Sequence, residues 1–199
     1  VYRVVFGENS GSDYHTAWYM CHRWRAAMRG DAIKLDGEVE VDETFVGGKE
    51  KNKHKRNRLK AGHGTIGKVA VIGAIARKGM VVAKVIQNTD TATLNGFVRQ
   101  TVSDKVSLVA TDEHSGYRLL KEQGYPHEAV KHGQGEYVRG NVHTAHIDSF
   151  WALFKRGIIG SFHHVSKQYL PLYVNEFSYR HNNRKNGNVF ADLLTTCDK

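Results

Sequence analysis

Cysteine is scarce in this sequence, with only Cys21 and Cys197 among 199 residues. Two widely separated cysteines exclude a dense disulfide framework, and they exclude a zinc site with four cysteine ligands from this chain. Runs of about eighteen apolar residues, which a membrane-spanning helix needs, are also missing, and no charged-then-apolar signal segment opens the sequence. We therefore expect a protein of a reducing intracellular compartment with no membrane partner.

Acidic residues are in the minority. The 20 Asp and Glu are outnumbered by 29 Lys and Arg, so the formal net charge is +9. This excess favours an anionic partner, most commonly nucleic acid, although charge alone does not decide it. A hydrophobic content of 40% is enough for a core and excludes a disordered tail. The length indicates one ordinary domain, which we place at residues 36–199, behind an N-terminal helical segment at residues 1–35.

The N-terminal segment contains one predicted helix, over residues 13–28. Ala17, Met20, Cys21, Trp24, Ala27 and Met28 recur there at helical spacing. The helix is either a packing element or the remnant of a DNA-binding helical unit, and the pattern leaves both open.

The remaining residues predict an α/β fold. Apolar or alternating stretches at 37–45, 68–76, 80–87, 106–112 and 127–132 indicate five strands. Helical patterns cover residues 91–102, 116–123, 144–156 and 166–182. The first three strands follow one another, the second and third joined by a short turn at residues 77–79, and the later strands alternate with helices. This order is typical of a ribonuclease-H-like mixed five-stranded sheet with flanking helices.

Three aspartates occupy informative positions in this arrangement. Asp42 lies in the first strand, on the face opposite the valines at 39 and 41, and we prefer it to Glu43 as the functional acid. Asp112 ends a buried strand, where it is either a site residue or a turn former. Asp148 lies about 100° from Ile147, which opens an apolar helical stripe, so it is either a site residue or a boundary salt-bridge partner.

Such a fold brings these three aspartates together. Their oxygens suit two Mg²⁺ (or Mn²⁺) ions, which can activate an attacking oxygen and stabilise a leaving one in phosphoryl transfer. No tyrosine or serine stands in a convincing nucleophile constellation, so a covalent recombinase mechanism is disfavoured.

Four motifs carry a resemblance that runs from about residue 16 to residue 195. VDETFVGGKEKNKH, TDEHSGY, HIDSFWALFKRGIIGSFHHVSK and NEFSYRHNNRK resemble the catalytic domain of bacterial insertion-sequence transposases of the DDE superfamily, in the Merlin-related group. The resemblance implies that Asp42, Asp112 and Asp148 are the three metal-binding catalytic acids. It also implies that Lys155, seven positions after the third acid, contacts the DNA backbone.

The sequence departs from that family at two places. The third acid is usually glutamate, whereas residue 148 is aspartate, as in other branches of the superfamily. Members usually also carry an N-terminal zinc ribbon, whose cysteines this sequence lacks. We therefore keep three alternatives: a fragment, a truncated copy, or a chain that has lost this module.

Basic residues supply the expected DNA contacts. Between residues 49 and 60 there are seven Lys or Arg and one acid, either a phosphate-binding loop or a solvated charge run. Basic residues near the end of the last long helix are similarly either DNA contacts or a solvated helix end. The residues predicted to bind DNA are Lys49, Lys51, Lys53, Lys55, Arg56, Arg58, Lys155, Arg156, Arg180 and Arg184.

Histidines cluster around the Asp148 helix. His143, His146, His163 and His164 are open to three interpretations: a transition-metal pair, a contact to DNA or water, or ordinary surface and core histidines. The spacing does not choose among them.

The function expected from the resemblance is metal-dependent cleavage and strand transfer of DNA. Its partners are double-stranded element ends and target DNA, and a homodimer or higher homo-oligomer handles both ends. We expect a bacterial cytoplasmic, nucleoid-associated location. The alternatives are a ribonuclease-H-like nuclease without strand transfer and a catalytically inactive DNA-binding protein derived from a transposase.

Overall fold

A five-stranded sheet with helices on both faces forms the body of the protein. The structure, a computed structural model, describes residues 13–30, 32–48, 53–59, 64–130, 138–140 and 142–197. The strands are β1 (Glu38–Val46), β2 (Val69–Ala76), β3 (Val81–Ile86), β4 (Leu108–Thr111) and β5 (His127–Ala129). The helices are α1 (Tyr14–Ala27), α2 (Thr91–Thr101), α3 (Ala145–Arg156), α4 (Leu170–Asn182) and α5 (Val189–Cys197). Short 3₁₀ turns lie at Lys55–Asn57 and Ser115–Leu120, and a π turn at Gly157–Ser161 follows α3.

The strand order is β3-β2-β1-β4-β5. β1, β2 and β3 are antiparallel neighbours, whereas β4 runs parallel to β1 and β5 parallel to β4. A tight turn joins β2 to β3, and Lys78 adopts a left-handed backbone there with φ of 59°. The crossover from β3 to β4 contains α2, as a parallel connection requires. This mixed sheet is the ribonuclease-H-like arrangement that the order of elements predicts.

Two apolar cores cover the two faces of the sheet. On one face, Val39 and Val41 of β1 pack with Leu94 and Val98 of α2. On the other face, α3 packs on β1 and β2, and α4 packs on β3. The α3 stripe predicted from sequence is buried there, with Ile147, Phe150, Trp151, Phe154 and Ile158. The strand β1 therefore lies in the middle of three layers, covered on both faces.

Gly73 of β2 allows α3 to approach the sheet closely. A Cβ atom at this position would lie 2.7 Å from Cζ2 of Trp151 and 3.2 Å from Cδ1 of Ile147. The bare backbone is thus the surface on which the first turns of α3 rest.

Helix α1 buries residues beyond those that its apolar pattern predicts. Ala17 is buried as predicted, but His22 and Arg25 are buried too, whereas Met20 is 37% exposed. Nε of Arg25 lies 2.6 Å from Oε2 of Glu176, a buried residue of α4. A buried cation needs a buried partner, and sequence spacing alone cannot reveal a partner 151 positions away.

Helix α1 contacts α4 and α5. The division of the chain at residue 35, and the origin of the first segment in a DNA-binding unit, stay predictions. In the part of the chain that the structure describes, no helix combines the length and apolar character needed to cross a bilayer.

Candidate metal and catalytic site

Asp42 and Asp112 lie side by side where the pairing between β1 and β4 ends. β1 and β4 are parallel, and the last pair in their register is Glu40 with Ala110. Two residues further along are Asp42, in the middle of β1, and Asp112, just after β4, so the two carboxylates lie close together beyond the last pair. Asp112 comes directly after β4, and its Oδ1 accepts a hydrogen bond from the backbone N–H of His114 at 3.0 Å.

Glu43 joins these two aspartates. Ligand oxygens of Asp42, Glu43 and Asp112 all lie within 4.8 Å of one another. The Glu43 side chain projects from the opposite face of β1, where the hydroxyl of the buried Tyr117 donates to its Oε2 at 2.6 Å. Nδ1 of His114 lies 3.8 Å from the other oxygen, Oε1. The tyrosine therefore fixes the direction of this carboxylate.

Asp148 lies beside this group in the first turn of α3. Its side chain is exposed, and its Oδ2 accepts a hydrogen bond from the hydroxyl of Thr144 at 3.1 Å. The negative charge of Asp148 contributes to the raised pKa of Asp42, so the two carboxylates interact. Among the described residues, Asp148 is not in the group that lies within 4.8 Å.

Burial and the charges of neighbouring carboxylates raise the pKa of Asp42 and of Glu43. Burial is the largest cause that raises the pKa of Asp42, to about 7, followed by the charges of Glu43, Asp112 and Asp148. Burial also raises the pKa of Glu43, and the hydrogen bond from Tyr117 opposes that rise. A divalent cation would supply the missing positive charge, and an all-oxygen donor set suits Mg²⁺ or Mn²⁺. The residues present therefore fit such an ion.

Sequence reasoning missed two members of this region. Glu43 shares a face with the valines of β1, yet its carboxylate lies within 4.8 Å of that of Asp112. Its signal in the sequence is the acidic pair Asp42-Glu43 inside an apolar strand. Glu40 was not singled out either, although it is a fully buried carboxylate. An acid inside a strand expected to be covered was its signal.

The two histidines that precede and open α3 are bound to Glu40. Nδ1 of His143 lies 3.2 Å, and Nδ1 of His146 2.8 Å, from Oε1 of Glu40. The two imidazole rings stack with their centroids 5.5 Å apart. His163 and His164, which follow the π turn, are exposed.

The predicted DNA-binding residues fall into three places. Lys53, Lys55, Arg56 and Arg58 lie around the first 3₁₀ turn, and all but the half-buried Lys53 are exposed; Lys49 and Lys51 lie outside the described residues. Lys155 and Arg156 are exposed in the last turn of α3, two turns after Asp148.

Two other predicted DNA contacts take part in structural interactions at the end of α4. Nη2 of Arg180 lies 3.3 Å from Oε1 of Glu176, one turn earlier. Arg184 donates to the carbonyl oxygens of His181 at 2.7 Å and of Lys78 at 3.3 Å. Both side chains are nevertheless exposed to solvent, so their local partners do not bury them.

Comparisons with known proteins point to mobile genetic elements. The family model described as the ISXO2-like transposase domain matches residues 34–182. An uncharacterized protein in transposable element ISH50 of Halobacterium salinarum is 28% identical over 178 residues, which are 84% of this chain and 60% of the relative. The chain thus spans well under two thirds of the length of that relative.

One solved structure is also similar at low identity. It is a chain in the cryo-EM structure of the simian T-cell lymphotropic virus intasome in complex with PP2A regulatory subunit B56 gamma. The match is 11% identical, covers 82% of this chain and 60% of that chain, and has a TM-score of 0.40.

Proposed function

Because the chain belongs to the ISXO2-like transposase domain family, we propose that it is the catalytic domain of a DNA transposase that cleaves DNA and transfers strands with divalent metal ions. The observation that supports this most directly is the convergence of Asp42 and Asp112, just beyond the last paired residues of two adjacent parallel strands, within reach of Glu43. The exposed Asp148 on α3 faces this cluster closely enough for its charge to act on Asp42.

The proposed metal ligands are Asp42, Asp112 and Asp148, and Glu43 is a further carboxylate of the site. Two bound Mg²⁺ or Mn²⁺ ions would partly neutralise the negative charge of the scissile phosphate and favour ionisation of the attacking oxygen. The chain itself contributes fixed positions: two parallel strands hold Asp42 and Asp112, and the packed stripe of α3 holds Asp148. Positioning and charge compensation are the main requirements of phosphoryl transfer.

The proposed reaction has two steps at the same carboxylates. Water first attacks a phosphodiester phosphorus, its P–O3′ bond breaks, and the strand is left with a 3′-hydroxyl and a 5′-phosphate. The 3′-hydroxyl then attacks a phosphodiester of the target strand and displaces that strand's 3′-oxygen. The second step exchanges one phosphodiester for another and requires no external energy source.

The proposed DNA surface includes the basic turn after β1, Lys155 and Arg156 of α3, and Arg180 and Arg184 of α4. The net charge of +9 supports contact with a polyanion. Assembly as a homodimer or higher homo-oligomer on two DNA ends, a bacterial cytoplasmic and nucleoid-associated location, and membership of the Merlin-related group remain part of this proposal.

Two other functions would use the same surface. A nuclease without strand transfer would need the same carboxylates, and an inactive DNA-binding protein would need only the basic residues. The aspartate at position 148 favours the inactive alternative, because its side chain is one methylene shorter than the usual glutamate.

The test is nicking of supercoiled plasmid by the purified chain with Mg²⁺, with Mn²⁺ and with a chelator. Asp112→Asn is the matched variant, since it keeps the side-chain shape and removes the charge. We expect metal-dependent nicking by the natural sequence and its loss in the variant, with DNA binding retained. Joined products on oligonucleotides with a free 3′-hydroxyl would identify strand transfer. DNA binding without cleavage in either metal would contradict the proposal and favour the inactive alternative.

A further inference from the structure

Glu40 is a carboxylate without solvent contact in the central strand of the sheet. Its side chain is 0% exposed, and it precedes Asp42 by two positions on the same face of β1. A buried carboxylate is costly unless several donors compensate for its lost hydration. The hydrogen-bond and ion-pair partners of Glu40 therefore indicate its structural role.

The first set of partners is the N-terminus of α3. The backbone N–H groups of His146 and Ile147 donate to Oε2 of Glu40 at 2.8 and 3.1 Å. These N–H groups belong to the first turn of a helix, where amides have no partner inside the helix. Glu40 thus caps α3 from a strand 106 positions earlier in the sequence, and its negative charge lies at the positive end of the helix dipole.

The second set of partners is cationic or can become so. Nε of Arg77, from the turn after β2, lies 3.0 Å from Oε1 of Glu40, and a second nitrogen of Arg77 contacts Glu38. His143 and His146 approach the same oxygen, Oε1. The two oxygens of Glu40 therefore have different partners. Oε1 contacts the side chains of Arg77, His143 and His146, and Oε2 accepts the backbone hydrogen bonds of α3.

We propose that Glu40 is a positioning residue, which sets the place of Asp148 relative to Asp42 and so completes the metal site. Glu40 and Asp42 stand two residues apart on one strand, and Ile147, whose N–H Glu40 binds, precedes Asp148 directly. The carboxylate of Glu40 is therefore a direct hydrogen-bonded connection between the strand that bears Asp42 and the turn that bears Asp148. This inference rests on the proposed function only in treating Asp42 and Asp148 as ligands of the same metal site.

A metal site made of Glu40, His143 and His146 is the competing interpretation, because their ligand atoms lie within 4.8 Å of one another. The surrounding charges oppose it. The guanidinium of Arg77 already contacts Oε1, and the positive end of α3 faces Oε2. A cation placed there would lie next to two positive neighbours. The group formed by Asp42, Glu43 and Asp112, in contrast, consists of carboxylates only.

The test is a double-mutant cycle on Mn²⁺ affinity, measured by electron paramagnetic resonance of the free ion without DNA. The variants are Glu40→Gln, Asp148→Ala and the combination of both. We expect each single change to weaken Mn²⁺ binding about tenfold or more, as changes in residues that orient metal ligands do. We expect the combination to bind less than about twofold more weakly than Asp148→Ala alone, because Glu40 acts through Asp148.

A matched control separates positioning from general loss of stability. Glu176→Gln also removes the charge of a buried glutamate paired with an arginine, but it lies between α1 and α4. We expect normal Mn²⁺ affinity in this control, even if its thermal unfolding midpoint falls. Glu40→Asp is a second variant in case Glu40→Gln does not fold. It keeps a charge for Arg77 but is too short to reach the helix, and we expect its Mn²⁺ affinity to fall as well.

Several results would overturn the inference. One is that Glu40→Gln and Glu40→Asp both fold and bind Mn²⁺ as tightly as the natural sequence. Another is that the loss of Mn²⁺ affinity in the combined variant equals the product of the losses in the two single variants. Retention of one Mn²⁺ in Asp42→Asn with Asp112→Asn, lost on adding Glu40→Gln, would establish the competing metal site instead. Plasmid nicking distinguishes the two proposals. Metal-dependent nicking that is unaffected by Glu40→Gln rejects only this inference, whereas absence of nicking with an intact mutant cycle rejects only the catalytic function.

Discussion

Replacing Asp42 by asparagine should stabilise the metal-free protein at neutral and alkaline pH. The substitution keeps the shape of the side chain and its ability to accept a hydrogen bond, and it removes one charge from a crowded cluster. The pKa of Asp42 is raised above its ordinary value of 3.8 to about 7, chiefly by burial and then by Glu43, Asp112 and Asp148. The free energy of unfolding must therefore depend on pH.

The sign of that dependence follows from proton binding. Between pH 3.8 and about 7 the folded state holds a proton on Asp42 that the unfolded state has released. The contribution of this group to the free energy of unfolding consequently falls as pH rises through that interval. Above about pH 7 the full cost of the buried charge on Asp42 remains. At about 1.4 kcal/mol per pKa unit, the rise from 3.8 to about 7 corresponds to about 4 kcal/mol. Of this, about 3 kcal/mol develops between pH 5 and pH 8.

The assay is urea unfolding in chelator at pH 5 and pH 8. We expect the advantage of Asp42→Asn over the natural sequence to grow by up to about 3 kcal/mol between the two pH values. Asp36→Asn is the control, because Asp36 is exposed and this change isolates the general effect of removing one negative charge from a basic chain. Mg²⁺ should stabilise the natural sequence and have much less effect on Asp42→Asn. A variant that is less stable at pH 8, or an advantage that does not change with pH, would refute the reasoning.

Three further predictions concern packing, the sheet edge and DNA contact. Gly73→Ala should cost about 1–3 kcal/mol of unfolding free energy in urea, because the new Cβ would lie 2.7 Å from the Trp151 ring; an unchanged midpoint would show that α3 can shift. Asn182→Ala should cost about 1–3 kcal/mol, since its amide donates to Val81 O at 2.9 Å and accepts from Val81 N at 2.7 Å; rapid hydrogen exchange at Val81 is the accompanying signal. Lys155→Ala should weaken binding to all duplex sequences and lower the salt dependence by about one phosphate contact, and a sequence-selective loss would contradict this.

The elements of the sheet could be predicted because each has a local signature. Valines alternate in β1, an uninterrupted apolar run marks β2, and the α3 stripe has helical spacing. The strand directions could also be predicted, because a short turn after β2 favours antiparallel pairing with β3 and the helical crossover through α2 favours a β4 that runs parallel to β3. Local patterns of this kind survive folding when the covered face of each element is apolar.

The side-chain partnerships could not be predicted in the same way. Nothing in the sequence around Arg25 indicates that it is buried against Glu176 of α4. Glu43 stood on the apolar face of β1, and only the position of Tyr117 shows why its carboxylate is tolerated there. Because such pairs join residues far apart in sequence, the local spacing of apolar and polar residues does not predict them. The proximity of Asp42 and Asp112, in contrast, could be predicted from sequence, because Asp42 lies on the face of β1 opposite its valines and Asp112 directly follows a buried strand. Their catalytic role stays a prediction.

The link between Glu40 and the N-terminus of α3 also has a consequence for biosynthesis. The residues that it joins are separated by 106 positions, and a ribosome adds about 5–20 residues per second. About 5–20 s therefore pass between synthesis of the strand that bears Asp42 and synthesis of the helix that bears Asp148. For most of that interval the growing chain carries the basic residues after β1 without the third proposed acid. An mRNA broken between the codons for Asp112 and Asp148 would likewise yield a polypeptide with these proposed DNA-binding residues and an incomplete set of proposed metal ligands.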